Sequence, residues 1–546
     1  MRWKSILCWL AAILTLAAQN EPFFPTPGYF KRHFSNVDSH IELAPAARLK
    51  EFMIDGHLEL SLRNYLDLVM ANNPDILVQK LSLDFNRDAI TRAYSVFDPL
   101  ATASFGATRT EIQTGSLLQG ASTLNTLTQP FSLDFQQTLP TSTQYNIAFN
   151  DVKSSTNSAF STFNPQLSSS LNFSIIQPLL RGRGRFITML PITIAQSRLR
   201  AADFGFQDQL IQLLTFAENA YWDVVGAREF LRVQRESLKL AEAALTRADK
   251  ELELGATSPL EIYQPQATKA TAELSVSQAE YQLSQAEDAL RRQIGADLDP
   301  ATRYIPIVLT AGLEPPAEAP RVDPEQAVTT ALRTRPDLKN IVQTISTDDL
   351  AIRQSNDNLR PSLSLSAQYG TAGLGGIYYP GTNLVNPDLP VVPIPGGLGD
   401  ALAGVFGLKN PTYGFGLTLQ FPVKDRRASA DLGDALVQKK IDAYRQRSTE
   451  ENIRLQVLTA LHQLESSREG IRIATIARDL AKKRVDADQK RYELGVITLF
   501  FVLASQGDYI GSESNLVNQI INYHRSELTL LQRTGQLLEQ RGIVLQ

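Results

Sequence analysis

One cysteine occurs in 546 residues, Cys8. The sequence therefore offers no disulfide framework, no Cys-based metal site and no Cys nucleophile beyond position 8. Histidine is nearly as scarce: His33, His40, His57, His462 and His524. None has His-Glu-x-x-His spacing, so no metal-ligand pattern is present. A basic excess is missing too, with 53 Lys and Arg against 57 Asp and Glu. Without surplus cations to neutralise phosphates, a nucleic-acid partner is excluded. No long apolar run follows the N-terminus and mean hydropathy is −0.15, which excludes a polytopic helical membrane protein. At 43% hydrophobic and 20% charged residues, bulk disorder is excluded as well. Gly182-Arg183-Gly184-Arg185 lacks the Lys-Ser/Thr of a phosphate loop, and no nucleophile–base–acid set stands out. The chain reads as a non-enzyme without cofactor.

The N-terminus reads as an export signal, residues 1–18. Arg2 and Lys4 supply positive charge, Ile6 to Leu16 an apolar core too short for a bilayer, and Ala17-Ala18 small residues for cleavage. Cys8 lies near the start of that core, not at its end, so no lipid anchor is expected. A Pro-rich lead segment, 19–59, follows.

The rest of the chain is two copies of one unit. Asn73-Pro74-Asp75 returns as Arg335-Pro336-Asp337, Ala89-Ile90 as Ala351-Ile352, and Asp98-Pro99 as Arg360-Pro361, all 262 residues apart. Glu253-Leu254-Gly255 returns as Glu493-Leu494-Gly495 at an offset of 240, so the first copy carries 22 more residues between Pro99 and Gly255. The period is too long for a solenoid module and reads as duplication of half a protein. The copies are placed at 60–295 and 323–541, with a linker at 296–322 and a tail at 542–546. Each opens with a helix, Pro74 to Asp98 or Pro336 to Arg360, with proline at its start. Each then alternates like a strand and continues as a long Pro-free helix, Pro191 to Leu254 or Arg427 to Leu494. At 1.5 Å per residue these span about 95–100 Å, and helices so long need coiled-coil-like partners. The returning helices, Pro259 to Ile294 and Thr498 to Arg541, are shorter. The first returning helix and the opening helix together match one long helix, so the two could stack end to end along it. An ordinary antiparallel bundle remains the alternative.

Six segments alternate with period two, four near 100–178 and two near 362–370 and 411–422. Phe131, Leu133 and Phe135 oppose Ser132, Asp134 and Gln136; Tyr413, Phe415, Leu417 and Leu419 oppose Gly414, Gly416, Thr418 and Gln420. A soluble sheet with one wet face would also alternate. Here the polar face is small and uncharged apart from Asp134. Long connections at 112–128, 154–166 and 370–411 contrast with a tight turn at Pro140-Thr141-Ser142, the loop asymmetry of outer-membrane barrels. Six strands cannot enclose a water-filled lumen, so several copies must share one barrel.

With the duplication, two helix–turn–helix motifs and Gln177-Pro178-Leu179-Leu180-Arg181-Gly182 at the strand exit, the sequence resembles the outer membrane efflux, or TolC-like, family. The turns read Leu254-Gly255-Ala256-Thr257-Ser258-Pro259 and Leu494-Gly495-Val496-Ile497-Thr498-Leu499. The resemblance covers about 60–542. It implies a mainly α chain with a transmembrane β part: a long α-helical coiled-coil barrel in the periplasm plus β-barrel strands in outer-membrane lipid, completed as a homotrimer. It further implies an exit duct of a tripartite efflux pump or type I secretion system, partnered by a periplasmic adaptor and an inner-membrane transporter. A structural envelope protein that does not conduct is the alternative. Gly255 and Gly495 are expected at positive φ and Ser258 and Thr498 as caps of the returning helices, all four at an adaptor-docking edge. The family's acidic mouth is kept at Glu261 only; Phe500 and Phe501 occupy the second tip. Glu261, Phe500 and Phe501 are the candidate periplasmic gate, an apolar constriction being able to close by dewetting. The two rings could instead pack between helices.

Overall fold

The computed structural model describes residues 26–34, 40, 47–54, 56–115, 121–158, 161–255, 258–296, 302–313, 322–380 and 392–543. The expected leader, 1–18, lies outside them. Residues 1–47 and 48–546 are separate units. In the first, helix α1 (Pro27–Phe34) stacks Phe30 on Phe34, ring centroids 5.9 Å apart.

In the second unit, β1 (Met53–Ile54) and β2 (His57–Leu60) form a small sheet. The lead segment is therefore structured at its end, and β2 runs across its boundary at residue 59. Ser61 accepts a hydrogen bond from the Asn64 amide at 3.2 Å and starts α2 (Leu62–Asn72). Asn73 then ends α2 and opens α3 (Pro74–Tyr94), its carboxamide oxygen accepting from the Asp75 and Ile76 amides. Proline at the first helical position has no amide to leave unpaired.

The alternating strands follow: β3 (Leu100–Phe105), β4 (Thr108–Gln113), β5 (Thr123–Thr138), β6 (Gln144–Thr156) and β7 (Phe163–Pro178). A short α4 (Gly184–Thr188) leads into α5 (Leu190–Glu253) and, past the first tip, α6 (Tyr263–Gln293). Strand β8 (Ile307–Leu309), inside the expected linker, pairs in parallel with β2. The second copy repeats the plan. It contains α7 (Pro324–Thr334), α8 (Pro336–Asn358), β9 (Ser362–Tyr378), α9 (Leu398–Phe406), β10 (Pro411–Gln420), α10 (Arg426–Glu493), α11 (Leu499–Thr534) and α12 (Leu537–Gln540). Asp323 caps α7 at the Gln326 amide, and Arg335 joins α7 to Pro336 as Asn73 joins α2 to Pro74.

The end-to-end stacking is real in both copies. The Asn73 side-chain amide donates to Gln293 Oε1 at 2.8 Å, tying the start of α3 to the last residue of α6. Thr334 Oγ1 donates to the Thr534 carbonyl at 2.6 Å, tying the last residue of α7, just ahead of α8, to the last residue of α11. Alongside lie α5 and α10, 64 and 68 residues long, roughly 100 Å each. The last returning helix is shorter than expected: it breaks at Gly535, φ 71°. At mid-length, Tyr65 and Tyr221 are fully buried, ring centroids 5.6 Å apart. Beside them Glu218, also buried, pairs with Arg541 Nε at 3.0 Å. Among the described residues no helix is long and apolar enough to cross a membrane.

The strands make one antiparallel sheet in the order β10-β9-β7-β6-β5-β3, with β4 continuing the β3 column. The segment expected as one strand, Leu100 to Thr108, is thus interrupted at 106–107, opposite Pro130 of β5, which has no amide for the ladder. The hairpin 131–152 lies inside the sheet, between β3 and β7. Register aligns one row across six columns: Tyr413, Tyr369, Phe173, Ile147, Phe135, Ala101. The next row, on the other face, is Gly414, Gln368, Ser174, Asn146, Gln136, Leu100. In this part of the sheet an apolar face therefore backs a polar one, with Leu100 at the edge as the exception. Several strands outrun the expected ends: β5 starts at Thr123, β6 reaches Thr156 and β9 reaches Tyr378. Those extensions are rich in Thr, Ser, Asn and Gly on both faces, so no alternation marks them.

Candidate functional site at the hairpin tips

The second tip is a Schellman closure. Leu494 ends α10, and Gly495 turns the chain at φ 74°. The Gly495 amide donates to the Tyr492 carbonyl at 2.8 Å and the Val496 amide to the Arg491 carbonyl at 2.9 Å. These satisfy two carbonyls that a helix end leaves open. Nothing lies within 4 Å of where a Gly495 Cβ would stand, and the same holds for Gly255 at φ 71°. Glycine is needed at both for backbone angle, not for space. The Gly255 amide likewise donates to the Leu252 carbonyl at 2.9 Å. Ala256 and Thr257 lie outside the described residues.

The two expected caps behave differently from the sequence reading. Thr498 occupies the N-cap position of α11, extended at φ −82° and ψ 161°, but its hydroxyl makes no capping bond. Its carbonyl accepts from the Phe501 amide at 3.2 Å instead. Ser258 does not cap α6. Its hydroxyl oxygen accepts from the Leu260 amide at 3.3 Å and its carbonyl from the Glu261 amide at 3.0 Å. Both bonds close a turn over 258–262, and α6 begins only at Tyr263. Pro265, in the first turn of α6, is the proline that suits the helix start.

Glu261 is exposed on that turn. Phe500 and Phe501 are 57% and 53% exposed and meet edge to face, centroids 5.6 Å apart. The buried side of α11 here is Val502, Leu503 and Ser505. Within one chain the two rings are therefore not packed between helices. Leu254, Leu260, Leu494 and Val496 are each at least 70% exposed, so the tips end in an apolar rim.

Just behind the rim is a polar cluster with no signature in the sequence. The Tyr492 hydroxyl donates to Glu251 across a separation of 241 residues, joining α10 to α5. Arg247 Nε lies 3.1 Å from the Glu251 carboxylate, and its Nη1 3.8 Å from that of Glu493. The same guanidinium stands 4.6 Å from the Tyr492 ring centroid. Burial first, then the Glu251 carboxylate, pushes the Tyr492 hydroxyl up to about 12, so it remains a neutral donor. Farther along, Arg484 pairs with Asp508 at 2.9 Å and Arg232 with Glu513 at 3.4 Å. The two hairpins are tied by charge-assisted bonds directly behind the apolar rim.

A family model described as Outer membrane efflux protein matches residues 327–536. Residues 327–536 therefore carry an outer membrane efflux protein domain. The match covers α7 to α11, including the second tip. No curated protein matches the sequence. Among solved structures, a membrane protein from Pseudomonas aeruginosa is 17% identical with a TM-score of 0.61, over 92% of this chain and 99% of that one. The CmeC outer membrane channel of Campylobacter jejuni is 15% identical with a TM-score of 0.61, over 95% and 94%. The outer membrane protein VceC of Vibrio cholerae is 14% identical with a TM-score of 0.61, over 87% and 96%. These likenesses establish the fold over nearly the whole chain. The family match adds outer membrane, efflux and transport.

Proposed function

We propose that this chain is one protomer of a closed homotrimeric duct, carrying solutes from the periplasm out through the outer membrane. Two edges without a partner among the described residues carry the reading. Along one edge of the fold, α3 exposes Leu77, Val78, Leu81 and Phe85 on one stripe, beneath the free strand β3. Along the other, α10 exposes Leu455, Ile473, Ile476 and Leu480, beneath the free strand β10. Such stripes need cover, and open strand edges invite pairing. Unlike edges that fit head to tail generate a ring when the rotation closes. In that ring the alternating sheets join into a β-barrel with the Tyr413–Ala101 row toward lipid, and the helices continue it as an α-helical barrel in the periplasm.

The duct serves as the outer-membrane end of a tripartite efflux pump or type I secretion system. The rim at Gly255, Ser258, Gly495 and Thr498 meets the periplasmic adaptor, and the adaptor brings the inner-membrane transporter. Glu261, Phe500 and Phe501 line the mouth as its gate, and the Arg247–Glu251–Tyr492 bonds hold it closed. Cysteine pairs test the edges. Phe415→Cys on β10 with Ala103→Cys on β3 should give, on oxidation in intact envelopes, a covalent ladder that stops at three chains. No inter-chain product from this pair or from pairs shifted along either strand would contradict the ring.

A further inference from the structure

The connection between β9 and β10 holds a helix, α9, whose exposed side is mainly apolar. On its inner side α9 meets β9 backbone to backbone. A Cβ at Gly373 would overlap the Ala401 carbonyl, one at Gly375 the Gly397 carbonyl, and one at Gly404 would come 2.7 Å from Gly373 Cα. Thr371 Oγ1 donates to the Val405 carbonyl at 3.2 Å. Ala401 and Val405 are fully buried there. On its outer side α9 presents Leu398 and Phe406, 45% and 69% exposed, and Val392, Ile394 and Leu408 beside it are exposed too. Its one charged residue, Asp400, is exposed in the first turn, where its carboxylate accepts from the Gly397 amide at 2.9 Å. A helix apolar on both sides belongs in an apolar medium.

The face it covers identifies that medium. Residues 371, 373 and 375 alternate in phase with Tyr369, which belongs to the apolar row through Tyr413 and Phe173. Thr371, bonded to Val405, is the next residue on that face after Tyr369, about 7 Å along the strand. Phe406 thus continues the apolar band outward. Tyr378 and Tyr379 mark its far end, where aromatic side chains favour a membrane–water boundary.

We infer that α9 is a belt helix strapped to the outside of the barrel, with Leu398 and Phe406 immersed in the acyl chains of the exterior leaflet. The inference rests on the barrel reading above. The test labels single cysteines with an environment-sensitive fluorophore on the assembled protein, in vesicles of phosphatidylcholine with brominated acyl chains. Phe406→Cys and Leu398→Cys are compared with Tyr413→Cys on the apolar face and Gln368→Cys on the polar face. The expected result is loss of emission with brominated lipid at Phe406, Leu398 and Tyr413, and loss with aqueous iodide at Gln368 alone. Iodide quenching at Phe406 would place α9 in water, and quenching by neither reagent would place it under protein. Either result, with Tyr413 still quenched by bromine, overturns the belt and leaves the barrel standing. If bromine fails at Tyr413 as well, the barrel reading falls and the belt with it.

Discussion

At Gly495 and Gly255 the chain reverses in open space, at φ 74° and 71°. A β-branched side chain there meets no neighbour and pays only for the left-handed backbone, about 1–2 kcal/mol at each turn. Gly255→Val with Gly495→Val should therefore leave trimers intact on a nondenaturing gel and reduce export, because the rim is displaced. Unchanged export would remove the tips from adaptor docking. Behind the rim, Tyr492→Phe deletes the hydroxyl that joins α10 to α5 and leaves the ring under Arg247. The mouth should open more often, with the thermal midpoint little changed. The gate is separable by charge. Phe501→Asp should wet an apolar mouth, raise conductance and increase cation preference, and Glu261→Gln should do less. If Glu261→Gln opens the pore and Phe501→Asp does nothing, the constriction is electrostatic. An apolar closure should also respond weakly to salt, whereas exposed ion pairs are screened by it.

Between elements, α8 and α10 share a carboxylate pair. Burial, then the charge of Asp442, pushes the Asp348 carboxyl up to about 6. Asp442 is held below its usual range: burial opposes this, but Gln438 and Arg445 bond it at 2.7 and 2.8 Å. The proton therefore belongs to Asp348. A folded carboxyl that holds its proton more tightly than the unfolded one costs stability as pH rises from about 4 through 6. Asp348→Asn should raise the thermal midpoint at pH 8 and give no advantage at pH 4. Asp348 is only half-buried, so the gain is on the order of 1 kcal/mol. An equal effect at both pH values would contradict the shared proton. The legible elements were those with local causes. Asn73-Pro74 and Arg335-Pro336 announce helix starts, and the Pro-free runs before Gly255 and Gly495 announce long helices. The start of α6 was misplaced because Pro259 and Pro265 carry the same local signal, and only the turn closed by Ser258 separates them. Strand ends were misplaced where both faces are polar. The Arg247–Tyr492 cluster had no sequence signal at all, since it joins residues far apart in the chain.

For the whole molecule, the sheet sets the size of the assembly. With the 131–152 hairpin built into the sheet, each chain offers six columns, and three chains would close eighteen. The resulting barrel would exceed the eight strands whose side chains fill the interior, and its lumen would be lined by small polar residues such as Ser174, Asn146 and Gly414. The central claim is that this assembly conducts. Single-channel recording of the purified protein in planar bilayers tests it most directly, with Tyr492→Phe recorded beside the unaltered chain. The account predicts small discrete steps from the unaltered protein and larger or longer openings from Tyr492→Phe at equal insertion. Silent bilayers from both, with the protein shown to be inserted, would contradict the duct and make this a structural link between outer membrane and periplasm.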